Sequence, residues 1–111
     1  MNNLHFDFGE ENTVTVPPIG TDKGQILWAL LRFGGMTVEE LQELTDIRGI
    51  SPRVHDLNVP TAIVMSIPEP KRRKNGKKTV EIVRYKVNSH LVDESLPIWQ
   101  DFLRAGDDKY L

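Results

Sequence analysis

The amino-acid sequence predicts a small α+β domain: three short helices followed by a two-stranded β-hairpin, with an N-terminal arm ahead of them and a C-terminal helix behind. Three observations predict it. Between residues 22 and 57, apolar side chains recur at helical spacing in three runs, each opened by a capping signature. Two β-branched-rich runs follow, Ala62–Ile67 and Thr79–Val87, joined by a segment containing Asn75-Gly76, the strongest short hairpin-turn signal. The chain of 111 residues, 39% hydrophobic and 27% charged, is the size of one domain. At that size about two-thirds of the surface is buried, so the pieces can share one core without staples. On this reading residues 1–20 are the arm, 21–88 the helix-and-hairpin domain, and 89–111 an acidic helix and tail.

In the arm, Asn12 to Val16 alternates enough for a short strand, which Pro17-Pro18 ends, and Gly9-Glu10-Glu11 reads as a turn. The first helix spans residues 22–33. Asp22 is its expected cap with Gln25 reaching back, Ile26, Leu30 and Phe33 form the stripe, and Gly34-Gly35 stops it. Trp28 lies off that stripe and is expected to pack against another element. Thr37 and Glu40 open the second helix, which carries Val38, Leu41 and Leu44 on one face and ends near Thr45-Asp46. Ser51 is the expected cap of the third helix and Pro52 its first residue, since a start at Asp46 puts Pro52 mid-helix at about 3 kcal/mol. Val54 and Leu57 make its apolar side, and Pro60 closes it. The two strands follow, with Pro68 and Pro70 expected to keep the ribbon's base from regular pairing. Beyond about Ser95, Leu96, Ile98, Trp99, Phe102 and Leu103 make the apolar face of a last helix.

The net charge of −2 conceals a division. Between Arg48 and Lys86 there are ten Lys/Arg and three Asp/Glu, a balance of +7; the remainder has four against thirteen, or −9. Such a split points to a basic working face on an acidic body. The absence of cysteine excludes disulfides, thiolate metal sites and cysteine nucleophiles. No apolar run approaches the roughly 18 residues of a membrane span, and Met1-Asn2-Asn3-Leu4-His5 is unlike a signal peptide, so a cytoplasmic protein is expected. His5, His55 and His90 have no ligand spacing, and no phosphate loop, nucleophile elbow or paired-carboxylate motif occurs. Glu39-Glu40 is accounted for by helix-dipole and capping chemistry. The expectation is a protein that is not an enzyme, with no cofactor and no metal.

Three helices and then a charged hairpin is the outline of a winged helix-turn-helix. A helix about 10 Å across fits a major groove of roughly 12 Å, while a basic ribbon beside it meets phosphates or the minor groove. The stretch from Lys23 to Val87 also resembles a small winged helix-turn-helix family frequent in bacteriophage and prophage genomes. Ile26-Leu27 through Leu30-Leu31 is similar to its first helix, and Thr37-Val38-Glu39-Glu40-Leu41 to the opening of its second. Arg53-Val54-His55-Asp56-Leu57 resembles its R-[IV]-x-D-L signature, and Arg84-Tyr85-Lys86-Val87 its closing R-Y-x-[LV] strand. Where that family has a further basic residue and a glycine turn, this chain has Asn58-Val59-Pro60. The resemblance implies double-stranded DNA binding in a bacterial host, as a transcriptional regulator or an accessory factor in replication or excision.

The candidate DNA contacts are Arg48, Ser51, Arg53 and His55 around the third helix and Lys71, Arg72, Arg73, Lys74, Lys77 and Lys78 on the wing. Six cations with one nearby anion, Glu69, exceed what is needed to keep an edge from aggregating. Arg53 either contacts DNA or pairs with Asp56 at i+3. Ser51 caps its helix and, with the adjacent amides, can hold a phosphate. His55 either meets a base edge or faces solvent. Leu96, Trp99, Phe102 and Leu103 either cover the core or pack across a two-fold axis in a homodimer. The rival reading is an interaction module, a phage-encoded inhibitor of a host protein that reuses the same fold through its acidic body. RNA binding is disfavoured by the scarcity of aromatic residues on the wing.

Overall fold

In a computed structural model, which describes residues 5–7, 13–59, 61–72 and 79–111, the first helix, α1 (Asp22–Phe33), is capped one residue earlier than the sequence pattern indicates. Thr21 is the N-cap, its Oγ1 accepting from the Gly24 N–H at 3.1 Å. The same hydroxyl donates to the Pro18 carbonyl at 2.7 Å, so the approach of the arm, which the capping pattern does not contain, selects Thr21 over Asp22. Gly24 permits this approach: a Cβ there would lie 2.0 Å from the Pro18 oxygen. Five successive residues of α1, Ile26 to Leu30, are buried, because the helix is packed on several sides. Gly34, at φ 85°, ends it with its N–H on the Leu30 carbonyl.

Thr37 and Glu40 form the complete reciprocal capping box of α2 (Val38–Thr45), at 3.2 Å and 2.9 Å. Asp46 closes α2 in the left-handed region at φ 58°. The next helix, α3 (Ile50–Leu57), corrects the sequence reading. Gly49 is its N-cap, at φ 72°, and Ser51 and Pro52 lie inside its first turn. Ile50, Val54 and Leu57 are its buried side. A left-handed cap frees Ile50 to enter the core, and Pro52 still costs nothing because first-turn N–H groups have no helical acceptor.

The sheet has three antiparallel strands where the sequence reading has two. Met36–Thr37, between α1 and α2, is a short strand β3, and the order is β3-β5-β4 with β4 (Val64–Arg72) and β5 (Thr79–Val87). The β4–β5 register runs unbroken from Val64↔Val87 to Arg72↔Thr79, and the Asn75-Gly76 dipeptide lies outside the described residues. Pairing continues through Pro68 and Pro70, contrary to expectation. Val64 turns its N–H outward to Asn58 Oδ1 (2.8 Å) and its C=O to Asn58 Nδ2 (3.0 Å), while the Ile63 carbonyl accepts from Asn88 on the inner side. Even-numbered residues of this edge strand therefore point their N–H away from β5, and both prolines fall on that parity.

The arm joins the body. Strands β1 (His5–Asp7) and β2 (Thr13–Thr15) pair antiparallel, and Val14 and Val16 are buried in the common core. The last helix, α4 (Pro97–Tyr110), runs to the end of the chain rather than fading into a tail. Trp28 reaches it: the indole Nε1 donates to Asp107 Oδ1 at 3.0 Å, and the ring lies 5.2 Å from that of Tyr110. Trp99, Phe102 and Leu103 are 0%, 6% and 7% exposed and Leu96 is half-buried. They contribute to this chain's own core, as in the first of the two alternatives read from the sequence, with Leu96 partly accessible. Among the described residues no helix is long and apolar enough to cross a membrane.

Candidate nucleic-acid interface

The turn between α2 and α3 is built from two left-handed residues, Asp46 and Gly49, and it exposes Arg48. On α3, Ile50, Val54 and Leu57 face inward, so at 100° per residue Pro52 lies outermost with His55 and Asp56 to either side of it, and Arg53 lies nearer the packed side. Arg53 and His55 are thus about 160° apart around the helix and do not form one reading face. Arg53 pairs with Asp22 at the start of α1 (3.4 Å) rather than with Asp56, because α3 packs against α1. Both partners are exposed, so the pair is weak and readily exchanged. His55 is exposed.

Ser51 faces the ribbon. Its Oγ lies 3.0 Å from the hydroxyl of Tyr85, a buried residue of β5, so its tertiary partner comes from 34 residues downstream. This contact fixes the base of the β4–β5 ribbon beside the first turn of α3. Lys71 and Arg72 are the last two residues of β4. Arg73, Lys74, Lys77 and Lys78 lie outside the described residues. Lys86, on β5, is exposed and extends the basic set beyond the residues singled out from the sequence.

Between α2 and the ribbon lies an open cleft of about 630 Å³, with Glu39, Glu40 and Glu43 along the helix wall and Glu69, Ile82 and Val83 along the ribbon wall. Arg84 spans it. Its Nε and Nη2 donate to the Glu69 carboxylate at 2.8 and 3.3 Å, and its Nη1 to the Gly35 carbonyl at 3.0 Å and to Glu40 Oε1 at 3.3 Å. Hydrogen bonding from Arg84 holds the Glu69 carboxyl below the usual carboxylate range, and the same pairing raises the guanidinium. Glu40 is lowered first by the Thr37 N–H and then by the Arg84 charge. Arg84, Glu69 and Glu40 were not singled out as a unit by sequence reasoning. The hairpin register places residues 67 and 84 opposite each other and 69 diagonal to 84, and that was the signal available.

No protein-family model, curated protein or solved structure matches this chain. The chemical content of the surface therefore rests on its own geometry. Acids at the start of α2 disfavour phosphate there, although a helix N-terminus otherwise attracts anions. Anionic ligands are left the α2–α3 turn, the α3 flank and the ribbon. Among the described residues no group of three or more His, Asp or Glu side chains is placed to hold a metal ion.

Proposed function

We propose that this chain is a winged helix-turn-helix protein that binds double-stranded DNA, as a transcriptional regulator or as an accessory factor in replication or excision. On this reading α2, the turn and α3 are the helix-turn-helix and β4–β5 is the wing. The observation that carries it is the seating of the basic ribbon against α3: β3 pairs with β5 and Tyr85 meets Ser51, so helix and wing belong to one face. From the Ser66↔Tyr85 pair to Arg72 is six strand residues, about 20 Å at 3.3 Å each. With α3 in a major groove about 12 Å wide, that length carries the cationic end across a phosphate backbone to the neighbouring groove.

The division of labour follows from the side chains. The outer surface of α3, made by Pro52, His55 and Asp56, offers little cationic attraction, so the wing supplies most of the affinity and Arg48, Arg53 and His55 the contacts at the groove. Binding is therefore strongly salt-dependent and only moderately sequence-selective. The resemblance seen in the sequence suggests a bacteriophage or prophage setting within a bacterial cytoplasm.

Fluorescence anisotropy on a random-sequence duplex at 50 and 200 mM salt tests this. If six wing cations meet phosphates, log Kd changes with log salt at a slope of about 5, and the variant with Lys71, Arg72, Arg73 and Lys74 changed to Ala retains a slope of about 2. No binding by folded protein at 50 mM salt overturns the proposal. The acidic wall of α2 favours the second reading, an interaction module for a basic host-protein surface. That reading requires binding that survives the wing substitutions and fails when Glu39 and Glu43 are changed to Gln.

A further inference from the structure

The ribbon is anchored at one end only. Strand β3 is two residues long, and its last pair is Thr37↔Arg84. From Val83 to Thr79, β5 has β4 as its sole strand partner among the described residues, which is about 17 Å of ribbon at 3.3 Å per residue. Beside the start of that overhang lies the open cleft, and of the overhang's residues Val83 is the one packed against the core among the described side chains. Lys71 and Arg72 sit at the far end of the overhang.

At the point where support ends, Arg84 makes four polar contacts with three partners. Glu69 belongs to β4 and pairs in register with Ile82, two residue pairs further out than Arg84 itself. Glu40 belongs to α2 and is held by its own capping box to Thr37, and the Gly35 carbonyl belongs to the loop before β3. One planar guanidinium therefore ties the overhanging part of the wing to the helix pair. A lysine cannot reproduce this, since its ammonium lacks the fork that grips a carboxylate with two parallel bonds.

We infer that Arg84 is a positioning residue: it is the fulcrum that fixes the angle of the wing to the helix-turn-helix, and through that angle it sets how much the wing contributes to duplex binding. A 10° swing about Arg84 displaces the end of a 17 Å overhang by about 3 Å, the full length of a hydrogen bond to phosphate. The inference rests on the DNA reading for its effect on binding, but the effect on wing angle stands without it.

Two measurements test it, and they fail separately. The chain has no cysteine, so spin labels placed at Gln42→Cys and Lys71→Cys report the distance from α2 to the wing end by pulsed electron resonance without DNA. The distance distribution is expected to be narrow in the otherwise unaltered protein and at least twice as wide with Arg84→Gln or Arg84→Lys. An unchanged width overturns the inference whatever the protein binds.

The second measurement is duplex affinity for Arg84→Gln, Glu69→Ala and the double variant. A fulcrum predicts that each single change weakens binding, on the order of tenfold, and that the double variant is no worse than Arg84→Gln, as for members of one network. If Arg84 instead contacts phosphate itself and Glu69 merely competes for it, removing the acid tightens binding, and that result overturns the inference. A widened distance distribution in a protein that binds no duplex supports Arg84 as the wing anchor and removes the DNA function.

Discussion

Changing Gly106 to Ala separates two physical effects of opposite sign. Gly106 lies within α4, where alanine is the better helix former by about 0.5–1 kcal/mol. By propensity alone the variant is the more stable protein. A Cβ at this position, however, would lie 2.1 Å from Cδ1 of Trp28, 2.5 Å from its Cγ and 2.6 Å from its Nε1. Relief requires a shift of more than about 1 Å to restore ordinary carbon–carbon contact near 3.5 Å. The indole cannot retreat, being 1% exposed, bonded to Asp107 and packed against Tyr110 and Phe33. Overpacking of this kind costs about 1–3 kcal/mol, and a conflict with a rigid ring belongs at the upper end. The net expectation is a loss of about 2 kcal/mol, or roughly 8 °C in Tm for a chain of this length. Urea unfolding followed by tryptophan fluorescence, with calorimetry for Tm, measures it. A variant as stable as the parent or more so, with an unchanged urea slope, refutes the claim that α4 seats on α1 through the missing side chain.

Thr37→Ala removes the side-chain half of the α2 capping box, while the Thr37 N–H can still donate to Glu40, and should cost about 1 kcal/mol in urea unfolding; a change below about 0.3 kcal/mol shows that the Thr37 hydroxyl is ornamental. Asp107 is held below the ordinary aspartate range, first by the Trp28 indole N–H and then by Arg32. Because the folded value is the lower one, its contribution is complete above the unfolded-chain value near about 3.9 and is lost as pH falls through the folded value. Asp107→Asn should therefore lower stability at neutral pH and converge with the parent in acid; parallel curves across that range would contradict the assignment.

The second helix shows what was legible in the sequence. Its cap, its length and its buried Leu41 are set by groups within four residues of one another, and each was found where the pattern put it. The pairing of β4 with β5 was legible too, since two β-branched runs flank Asn75-Gly76, although that dipeptide lies outside the described residues. The third helix shows the limit. Ser51 has the chemistry of a cap, but Tyr85, 34 residues on, approaches its hydroxyl, and the left-handed Gly49 takes the capping position. Arg53 had an acid three residues away and pairs with one 31 residues away. The prolines of β4 read as an interruption because local pattern cannot show which residues of the strand turn their N–H groups away from β5.

By itself the sequence determined the α+β class, the first three helices, the hairpin and the concentration of positive charge along it, because helix periodicity, capping and turn register are interactions over two to four residues. Only the tertiary structure decided that Trp99, Phe102 and Leu103 are core, that Arg53 pairs with Asp22 of α1, and that Arg84 joins Glu69 to Glu40 across the cleft. Those outcomes depend on which elements pack together. The partners of a long charged or aromatic side chain are chosen by that packing and not by its neighbours along the chain.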